Sequence, residues 1–370
     1  MQGQDNAPIA AAKPVIGEEE IEAAVRVLRS GRVVQGPEVA AFEEEFSELV
    51  GGRECVAVNS GTSALQLTLL ALGIGPGDEV VVPSFSFAAS ANAVRLVGAE
   101  PVFADIAPDS FCLDPDAAAA AIGPKTAAIM PVHLYGHPAA MDRLQPLAEA
   151  RGLAVVEDAA QAHGAALNGT RVGAFGSAGC FSFYPTKNMH ALEGGMVSTA
   201  DPALARTLRL LRNQGMEQRY ANEIVGANMR MTDVAAAIGR EQLKKLPGWT
   251  EQRRANAKAL DSGITRVVTP PVAPGAEHVY HQYTVRVRGD RDAAQQRLTE
   301  AGVGNAVYYP TPIHRLVPYA TTGPSSTRDW DLPETERAAA EVVSLPVHPS
   351  LTAGELERII AAVNTLEESR

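Results

Sequence analysis

Two reactive side chains stand out because each follows a short run of apolar residues. Lys187 lies in the stretch CFSFYPTKN, and Asp158 closes the stretch LAVVED. A carboxylate at the end of a buried strand is costly unless a cation or hydrogen-bond donors accompany it. Taken alone, such a lysine is usually a surface charge and such an aspartate is usually a helix cap, so the case for chemistry depends on what lies near them.

A phosphate site is indicated by Ser60-Gly61-Thr62-Ser63 in CVAVNSGTSALQL, where an apolar run gives way to a helical pattern. The first turn of a helix carries free N–H groups and the positive end of the helix dipole, and both favour a phosphate. Ser182 and the rings of Phe85 and Phe87 follow neighbouring apolar runs. Individually, features of this kind are most often helix caps or core packing.

The elements that would position these residues are short strands alternating with alanine-rich helices, from Glu54 to about Asp201. The stretches EVVVPS, LAVVEDA and AGCFSFY are apolar almost throughout, which is typical of a mostly parallel sheet covered by helices on both faces. Ligands gather at the carboxyl ends of such strands. We therefore expect Lys187, Asp158 and the phosphate-binding turn to meet at one edge of the sheet.

The rest of the chain divides into helices before this region and a mixed region after it. Two amphipathic helices in IGEEEIEAAVRVLRSGRVVQGPEVAAFEEEFSELVG are separated at Gly31 and Gly36-Pro37. The helical stretch TDVAAAIGREQLKKLPGWTEQRRANAKALDSG is predicted to break at Pro247-Gly248, and HQYTVRVRGD alternates like a half-exposed strand. These patterns predict an α/β fold with a large N-terminal domain over 1–249 and a smaller C-terminal α+β domain over 250–370.

One cofactor needs this combination of residues. Pyridoxal phosphate (PLP) requires a lysine amine for its Schiff base and a carboxylate opposite its pyridinium nitrogen. It also needs a phosphate cup, and a flat apolar wall suits its ring. Burial favours the neutral, nucleophilic form of the lysine, and the same amine can later move a proton. No GxGxxG follows a strand, and GxxxxGK[ST], GxSxG and HExxH are absent from the sequence. The sequence therefore predicts a PLP enzyme with Lys187 bonded to the cofactor.

Charge and composition disfavour several other classes of protein. The formal net charge is -11, whereas a nucleic-acid-binding protein needs clustered Lys and Arg. The three cysteines form no CxxC pair, which argues against a zinc site and a disulfide framework. No stretch approaches the ~18 uncharged apolar residues of a membrane-spanning helix. The N-terminal MQGQDNAPIAAAKP lacks a signal-peptide pattern. We expect a cytoplasmic enzyme that binds neither metal, nucleic acid nor membrane.

Several ordered motifs resemble the sugar aminotransferases of the DegT/DnrJ/EryC1/StrS family, within fold-type I of the PLP enzymes. They run over nearly the whole chain as GPEVAAFEEEF, NSGTSAL, EDAAQAHGA, FSFYPTKN, GANMRMTDVAAAIG and YYPTPIHRL. The resemblance implies the fold-type I PLP transferase fold. It also implies these roles: Lys187 as the Schiff-base lysine, Asp158 as partner of the pyridine nitrogen, Gln161 near the ring hydroxyl, Phe87 as the stacking aromatic with Phe85 in the core, and Gly61, Thr62, Ser63 and Ser182 around the phosphate.

The resemblance further implies a homodimer with two shared active sites. Asn228 lies where the family reaches a neighbouring subunit's phosphate. Tyr309 and His314 resemble the substrate loop, although both could equally be packing residues in a proline-rich turn. The sequence departs from related ones at His190 and Gln214, near the sugar side. His190 either lines the sugar pocket or caps a turn, and the turn is the better supported reading.

The activity that the resemblance implies is transfer of an amino group from L-glutamate to a keto group on a nucleotide-linked 6-deoxy sugar, with TDP or UDP as the nucleotide. High alanine, glycine and arginine usage suggests a GC-rich bacterial gene and hence aminosugar biosynthesis for secondary metabolites such as antibiotics. One alternative acceptor is a keto-cyclitol. Another alternative is the family's sugar 3-dehydratase branch, which Lys187 disfavours because that branch has a histidine instead. A non-catalytic regulatory protein on the same scaffold is a third.

Overall fold

The computed structural model describes residues 7–366, and the largest sheet in that part of the chain has seven strands. In chain order the strands are β1 (Glu54–Val58), β2 (Glu79–Pro83), β3 (Glu100–Ala104), β4 (Thr126–Ile129), β5 (Ala154–Asp158), β6 (Ala166–Leu167), β7 (Thr170–Arg171), β8 (Ala178–Ser182), β9 (Gly195–Thr199), β10 (Ala276–Glu277), β11 (Tyr283–Arg286) and β12 (Val342–Leu345).

The large sheet has the order β1-β9-β8-β5-β4-β2-β3. Neighbouring strands are parallel except for the two pairs that include β9. The predicted α/β fold with a mostly parallel sheet is therefore confirmed. As a result, β1, β2, β5 and β8 all end at the same edge of the sheet.

Helices flank the sheet. They are α1 (Glu18–Ser30), α2 (Pro37–Leu49), α3 (Gly61–Ala71), α4 (Ala89–Leu96), α5 (Pro115–Ala121), α6 (Met141–Glu149), α7 (Pro202–Arg212), α8 (Asp233–Gly263), α9 (Arg291–Glu300), α10 (Val317–Ala320), α11 (Pro333–Glu341) and α12 (Ala353–Asn364), with 3-10 turns at Leu134–Gly136, Ile313–Arg315 and Pro324–Thr327.

Alternate residues of the strands face opposite sides of the sheet, and both sides are buried. Val80 and Val82 of β2 belong to one hydrophobic cluster with Leu67 of α3, whereas Val81 belongs to a second cluster with Leu144 of α6. Burial on both sides explains why the strand sequences are apolar rather than alternating.

The helix α8 runs without interruption through Pro247 and Gly248, so the predicted break is wrong. A proline inside a helix costs roughly 3 kcal/mol, because it removes a hydrogen bond and crowds the preceding turn. Packing compensates on both sides: Leu246 is buried in the cluster that contains α2, and Leu260 is buried in the C-terminal cluster. The proposed boundary between 249 and 250 falls inside this helix, and a division of the chain at that point stays a prediction.

The C-terminal cluster is built on β11 and β12, which pair in antiparallel fashion. Thr284, on the polar face of β11, is as buried as Tyr283 and Val285 on the other face, so HQYTVRVRGD forms a strand buried on both faces rather than the half-exposed strand that its alternation predicts. Helices α8, α9 and α12 cover the face of Tyr283 and Val285, while the Thr284 hydroxyl lies 2.8 Å from that of Ser344 on β12. Ile9 also joins this cluster and bridges to Val303, so the first described residues pack against the C-terminal part.

Candidate active site

Four loops meet where β1, β2, β5 and β8 end. Asp158 is the last residue of β5 and Ser182 the last of β8, while Ser60 and Phe85 follow the ends of β1 and β2. The sheet therefore brings the sequence-predicted groups to a single edge, as its parallel topology requires.

Asp158 is 5% exposed and lies at the carboxyl end of β5. Its Oδ2 accepts a hydrogen bond of 2.7 Å from Ser90 Oγ, and its Oδ1 accepts one of 3.2 Å from the backbone N–H of Ala160. Burial raises the pKa of Asp158, and the Ser90 hydrogen bond and the charge of Lys187 oppose that increase.

Glu157, the neighbour of Asp158 on β5, is fully buried and holds this strand in place. It accepts hydrogen bonds from the backbone N–H groups of Gly173, Phe175 and Gly176, and from Nε2 of His133 at 3.1 Å. Burial alone would raise the pKa of Glu157, but the hydrogen bonds lower it overall. The His133 backbone N–H also donates to the carbonyl oxygen of Asp158 at 3.0 Å. The network therefore holds the backbone of Asp158 as well as the side chain of Glu157.

Lys187 lies in the turn after β8 and is half-buried. Desolvation lowers its pKa to about 8, and the negative charge of Asp158 partly opposes this decrease. A substantial fraction of the amine is therefore neutral near physiological pH, which is the form that attacks a carbonyl carbon. Asp158 ends β5 and Lys187 follows β8, and these two strands are paired neighbours, so both residues lie at the same edge of the sheet.

The start of α3 forms a cradle suited to a phosphate. Ser60 Oγ accepts from the backbone N–H of Ser63 at 3.1 Å, whereas no acceptor for the N–H groups of Gly61 and Thr62 occurs within the described chain. A Cβ added to Gly61 would lie 2.7 Å from the Cβ of Ser182, so only glycine lets the helix start approach Ser182 so closely. Two free N–H groups at a helix N-terminus beside a serine favour an anion.

Gln161 and Tyr309 lie together above the end of β5. The side-chain oxygen of Gln161 accepts from the backbone N–H of Tyr135 at 2.7 Å, and its Nε2 donates to the hydroxyl of Tyr309 at 2.7 Å. Tyr309 has a φ of 59°, in the left-handed region, and its ring stacks on that of Tyr135 with centroids 6.3 Å apart. This strained backbone directs the Tyr309 hydroxyl towards Gln161, so Tyr309 reaches the site from the C-terminal part of the chain.

The two phenylalanines after β2 have different environments. Phe85 is fully buried against Tyr135, Phe111 and Tyr309, as the expected core residue. Phe87 is 64% exposed. The Phe87 carbonyl accepts the backbone N–H of Ser90, whose hydroxyl binds Asp158, and the exposed Phe87 ring is available to cover the face of a flat ligand.

The His314 side chain is buried, and both of its ring nitrogens have hydrogen-bond partners. Its Nδ1 lies 2.7 Å from Ser84 Oγ, its Nε2 lies 2.9 Å from a carboxylate oxygen of Glu336, and the residue is 4% exposed. Burial lowers the pKa of His314, and the negative charge of Glu336 opposes the decrease. These contacts attach the loop that carries Tyr309 to the loop after β2, which fits a packing role, and a substrate contact for His314 stays a prediction.

Asn228 is exposed and lies beside the phosphate cradle's strand rather than inside the cradle. Its neighbour Met229 accepts a hydrogen bond of 3.0 Å from the backbone N–H of Asn59, next to Ser60. An exposed amide at this position is free to reach another subunit, which stays a prediction.

Of the two departures from the family pattern, His190 is 2% exposed and its Nδ1 accepts a hydrogen bond of 3.4 Å from the N–H of Leu192, as expected in a turn. Gln214 has a φ of 60° and also occupies a turn.

Sequence reasoning missed three residues that shape the site: Ser84, Ser90 and Tyr135. Their partners His314, Asp158 and Gln161 are distant in sequence, so no local spacing points to them. The available signal for two of them was their position, because Ser84 and Ser90 lie in the stretch SFSFAAS that follows an apolar strand.

Three further findings concern the predicted absence of a metal site, of a membrane-spanning helix and of a disulfide framework. Among residues 7–366, no group of three or more His, Cys, Asp or Glu side chains could hold a metal ion. In the same range, no helix has the length and apolar character needed to cross a membrane. Cys55, Cys112 and Cys180 are free and buried, and burial raises the pKa of Cys112 to about 12. The predicted cytoplasmic location stays a prediction.

The arrangement fits PLP group by group. The cradle at Gly61, Thr62 and Ser182 would hold the phosphate, and the exposed ring of Phe87 would lie against the pyridine ring. Lys187 would bond to the aldehyde carbon, and Asp158 would face the ring nitrogen. The fit is carried by the close approach of Gly61 to Ser182, and by the position of Asp158 and Lys187 at the ends of the neighbouring strands β5 and β8.

Comparisons with known proteins agree with this assignment. The model of the DegT/DnrJ/EryC1/StrS aminotransferase family matches residues 14–364. The Erythromycin biosynthesis sensory transduction protein EryC1 of Saccharopolyspora erythraea is 45% identical over 348 residues, which cover 92% of this chain and 93% of that protein. The dTDP-3-amino-3,4,6-trideoxy-alpha-D-glucose transaminase of Streptomyces venezuelae is 45% identical over 354 residues, which cover 94% and 92%.

A solved structure is similar as well. The crystal structure of S. venezuelae DesV in complex with a ketimine intermediate has a TM-score of 0.90 and 44% identity, and the match covers 94% of each chain. Sequence, fold and site thus agree, and the predicted cofactor is confirmed. The chain belongs to the DegT/DnrJ/EryC1/StrS family of pyridoxal phosphate-dependent sugar aminotransferases.

Proposed function

We propose that this protein transfers an amino group from L-glutamate to the keto group of a nucleotide-linked keto-6-deoxy sugar, with TDP or UDP as the nucleotide. The observation that carries the proposal is the position of Lys187 and Asp158 at the ends of two neighbouring strands, β8 and β5, with both ionisable groups desolvated. The S. venezuelae relative, named as a transaminase of a dTDP-linked amino sugar, supports the substrate class and favours TDP.

The roles proposed for the site residues follow from their surroundings. When bound, PLP supplies an electron sink for breaking the Cα–H bond of the donor and carries the amino group between the two half-reactions. Asp158 holds a proton on the ring nitrogen, since a buried carboxylate is stabilised by an adjacent positive charge. Lys187 moves the proton at the reacting carbon through its Nζ, because its lowered pKa lets the amine both accept and release a proton near neutral pH.

The remaining residues position the ligands. Gly61, Thr62, Ser63 and Ser182 anchor the phosphate, while Phe87 covers one face of the ring. Gln161 directs its Nε2 towards the ring hydroxyl and Tyr309, because its oxygen is already occupied by the N–H of Tyr135. Tyr309 extends from there towards the sugar side. His314 supports this loop from behind through Ser84.

A homodimer with shared active sites is part of the proposal. Asn228 is exposed and adjoins Met229, whose carbonyl oxygen accepts the N–H of Asn59, so its side chain is free to contact a second subunit. Apolar residues remain exposed nearby on the chain, with Tyr220 81% and Val225 94% accessible. Exposed apolar side chains flanking Asn228 are consistent with burial against a partner copy.

The test is a two-stage assay on purified holoenzyme. L-Glutamate alone should release one equivalent of 2-oxoglutarate per subunit. Addition of a panel of TDP- and UDP-linked keto sugars should then give, for at least one of them, the mass of a product with an amine in place of the keto oxygen. Borohydride reduction should leave the cofactor attached to a peptide that contains Lys187.

The controls separate this reading from its alternatives. Lys187→Ala should abolish both the borohydride adduct and the transfer, whereas Lys244→Ala, at an exposed lysine that pairs with Glu241, should change neither. Turnover of a keto-cyclitol but of no nucleotide sugar would contradict the proposed acceptor. Loss of a sugar hydroxyl without gain of nitrogen would indicate the dehydratase. A protein without an adduct or glutamate turnover would support a regulatory role.

A further inference from the structure

Two buried serines, Ser86 and Ser90, lie where β2 is joined to α4. Ser90 is fully buried and Ser86 is 4% exposed. Neither serine holds the phosphate or reaches Lys187 in the arrangement described above. Polar groups buried this completely are nearly always hydrogen-bonded, so their partners show what they do.

The two hydroxyls form a chain that ends at Asp158. Ser90 Oγ lies 2.7 Å from Asp158 Oδ2, and Ser86 Oγ lies 3.1 Å from Ser90 Oγ. A serine hydroxyl has one proton, and an ionised carboxylate can only accept. Because Ser90 donates its proton to Asp158, the Ser86 hydroxyl must donate to Ser90. Both donors therefore point towards the carboxylate.

Asp158 has few other groups that stabilise its negative charge. Within residues 7–366 its second oxygen receives only the longer bond of 3.2 Å from Ala160, and the charged or titratable groups that act most strongly on it are Lys187 and His133. Of the interactions that favour the ionised form, the Ser90 hydrogen bond is the largest. A second hydroxyl behind the first polarises it and strengthens the bond to the carboxylate.

We propose that Ser90, supported by Ser86, is a positioning residue that keeps the Asp158 carboxylate ionised and aimed at the pyridine nitrogen of PLP. This inference rests on the role proposed above for Asp158. Without the Ser90 hydroxyl, Asp158 becomes a stronger base and takes the shared proton from the ring nitrogen. A neutral ring accepts electrons less well, so Ser90 acts on the reaction through Asp158 and not through contact with the substrate.

The experiment measures the ring nitrogen directly in the holoenzyme. Protein reconstituted with PLP that is isotope-labelled at the ring nitrogen is studied by nitrogen NMR, and the dissociation constant of PLP is measured in parallel. Ser90→Ala should move the signal towards that of neutral pyridine and raise the dissociation constant by about tenfold or more, as expected for loss of a hydrogen bond to a charged group. Ser86→Ala should move the signal in the same direction by a smaller amount.

Matched variants separate this effect from general damage. Ser198→Ala also removes a fully buried hydroxyl, which donates to the carbonyl of Gly173 at 2.7 Å, but it should leave the ring-nitrogen signal unchanged. Ser90→Thr restores the hydroxyl and should restore the wild-type signal. An unmoved signal in folded Ser90→Ala would overturn the inference, and if that variant did not fold, an unmoved signal in Ser86→Ala would do so.

The two proposals fail in different ways. Asp158→Asn should move the ring-nitrogen signal fully to the neutral position. If Asp158→Asn moves the signal and the serine variants do not, the inference about Ser90 is wrong and the role of Asp158 stands. If Asp158→Asn leaves the signal unchanged, Asp158 is not the partner of the ring nitrogen, and both proposals are wrong.

Discussion

At the scale of single residues, Lys187 owes its reactivity to its surroundings. Desolvation disfavours its ammonium form, and Asp158 only partly compensates, so the pKa falls from 10.5 to about 8. At pH 7, roughly a tenth of such an amine is neutral, against less than about a thousandth for an ordinary lysine. Because the neutral amine is the nucleophile, this difference sets how fast the lysine can bond to an aldehyde.

The rate at which PLP bonds to the apoenzyme should therefore rise with pH and level off above about pH 8, following the neutral fraction of Lys187. Asp158→Asn removes the carboxylate that favours the ammonium form, so the inflection should move to lower pH. Stopped-flow absorbance across the pH range measures both effects. An inflection near 10.5, the ordinary value for a lysine, would show that Lys187 is not desolvated in solution.

The sequence predicted those site residues that end or follow a buried strand. Lys187, Asp158, Ser182 and the phosphate turn were found because a polar residue directly after an apolar run is unusual and parallel strands bring such positions together. Ser90 and Tyr135 were not found, because their roles depend on Asp158 and Gln161, which are 68 and 26 residues away. Hydrogen bonds of that separation leave no local pattern.

At the scale of elements, α8 illustrates how the environment of a position decides the effect of the same residue type. Gly239 and Gly248 both lie inside this helix. A Cβ at Gly239 would lie 2.8 Å from the ring of Phe42 on α2, whereas a Cβ at Gly248 would have no atom within 4 Å. Gly239 therefore permits the close approach of α2 and α8, and Gly248 only adds flexibility to the unfolded chain.

Gly248→Ala should raise the free energy of unfolding by roughly 0.5 to 1 kcal/mol, since alanine is the better helix former and the position is open. Gly239→Ala should lower it by roughly 1 to 3 kcal/mol, because the added methyl group overpacks the contact with Phe42. Denaturant-induced unfolding, monitored by circular dichroism, measures both changes. Equal effects of the two substitutions would contradict the close α2–α8 packing.

The same helix shows what sequence patterns predict at this scale. The strands of the large sheet were predicted because burial on both faces leaves an apolar sequence, and that property is local. The break at Pro247 was wrong because the rule for proline considers only the helix backbone, whereas Leu246 and Leu260 hold α8 against two separate hydrophobic clusters. The burial of the polar face of β11 was missed for a similar reason, since Thr284 bonds to Ser344 of β12, 60 residues away in sequence.

At the scale of the whole molecule, the proposed dimer connects the exposed groups of the site. Phe87 is 64% exposed, Asn228 is exposed, and the segment around Asn228 carries the exposed Tyr220 and Val225. A single chain thus supplies the lysine, the carboxylate and the helix N-terminus, but leaves one side of the site open. A second copy with two-fold symmetry would close both sites at once, with each subunit contributing Asn228 to the other.

Mixing two inactive variants tests this arrangement. Lys187→Ala removes the nucleophile, and Asn228→Asp places a negative charge where the partner's phosphate is proposed to lie, so each variant alone should have little activity. In a hybrid dimer, one site combines an intact Lys187 with an intact Asn228 from the other subunit. Because half of randomly paired dimers are hybrids and each has one intact site of two, the mixture should recover about a quarter of the wild-type activity.

The recovery is specific to shared sites. If Asn228 acted on its own subunit's phosphate, every site in the mixture would keep one defective residue, and mixing would restore no activity. Mixing Lys187→Ala with Asp158→Asn gives the matched control, because both residues belong to one subunit's half of the site and no hybrid site is complete. No recovery with Asn228→Asp would mean that each chain builds its active site without the other. Recovery in the control would mean that Lys187 and Asp158 of one site come from different subunits, against the arrangement proposed above.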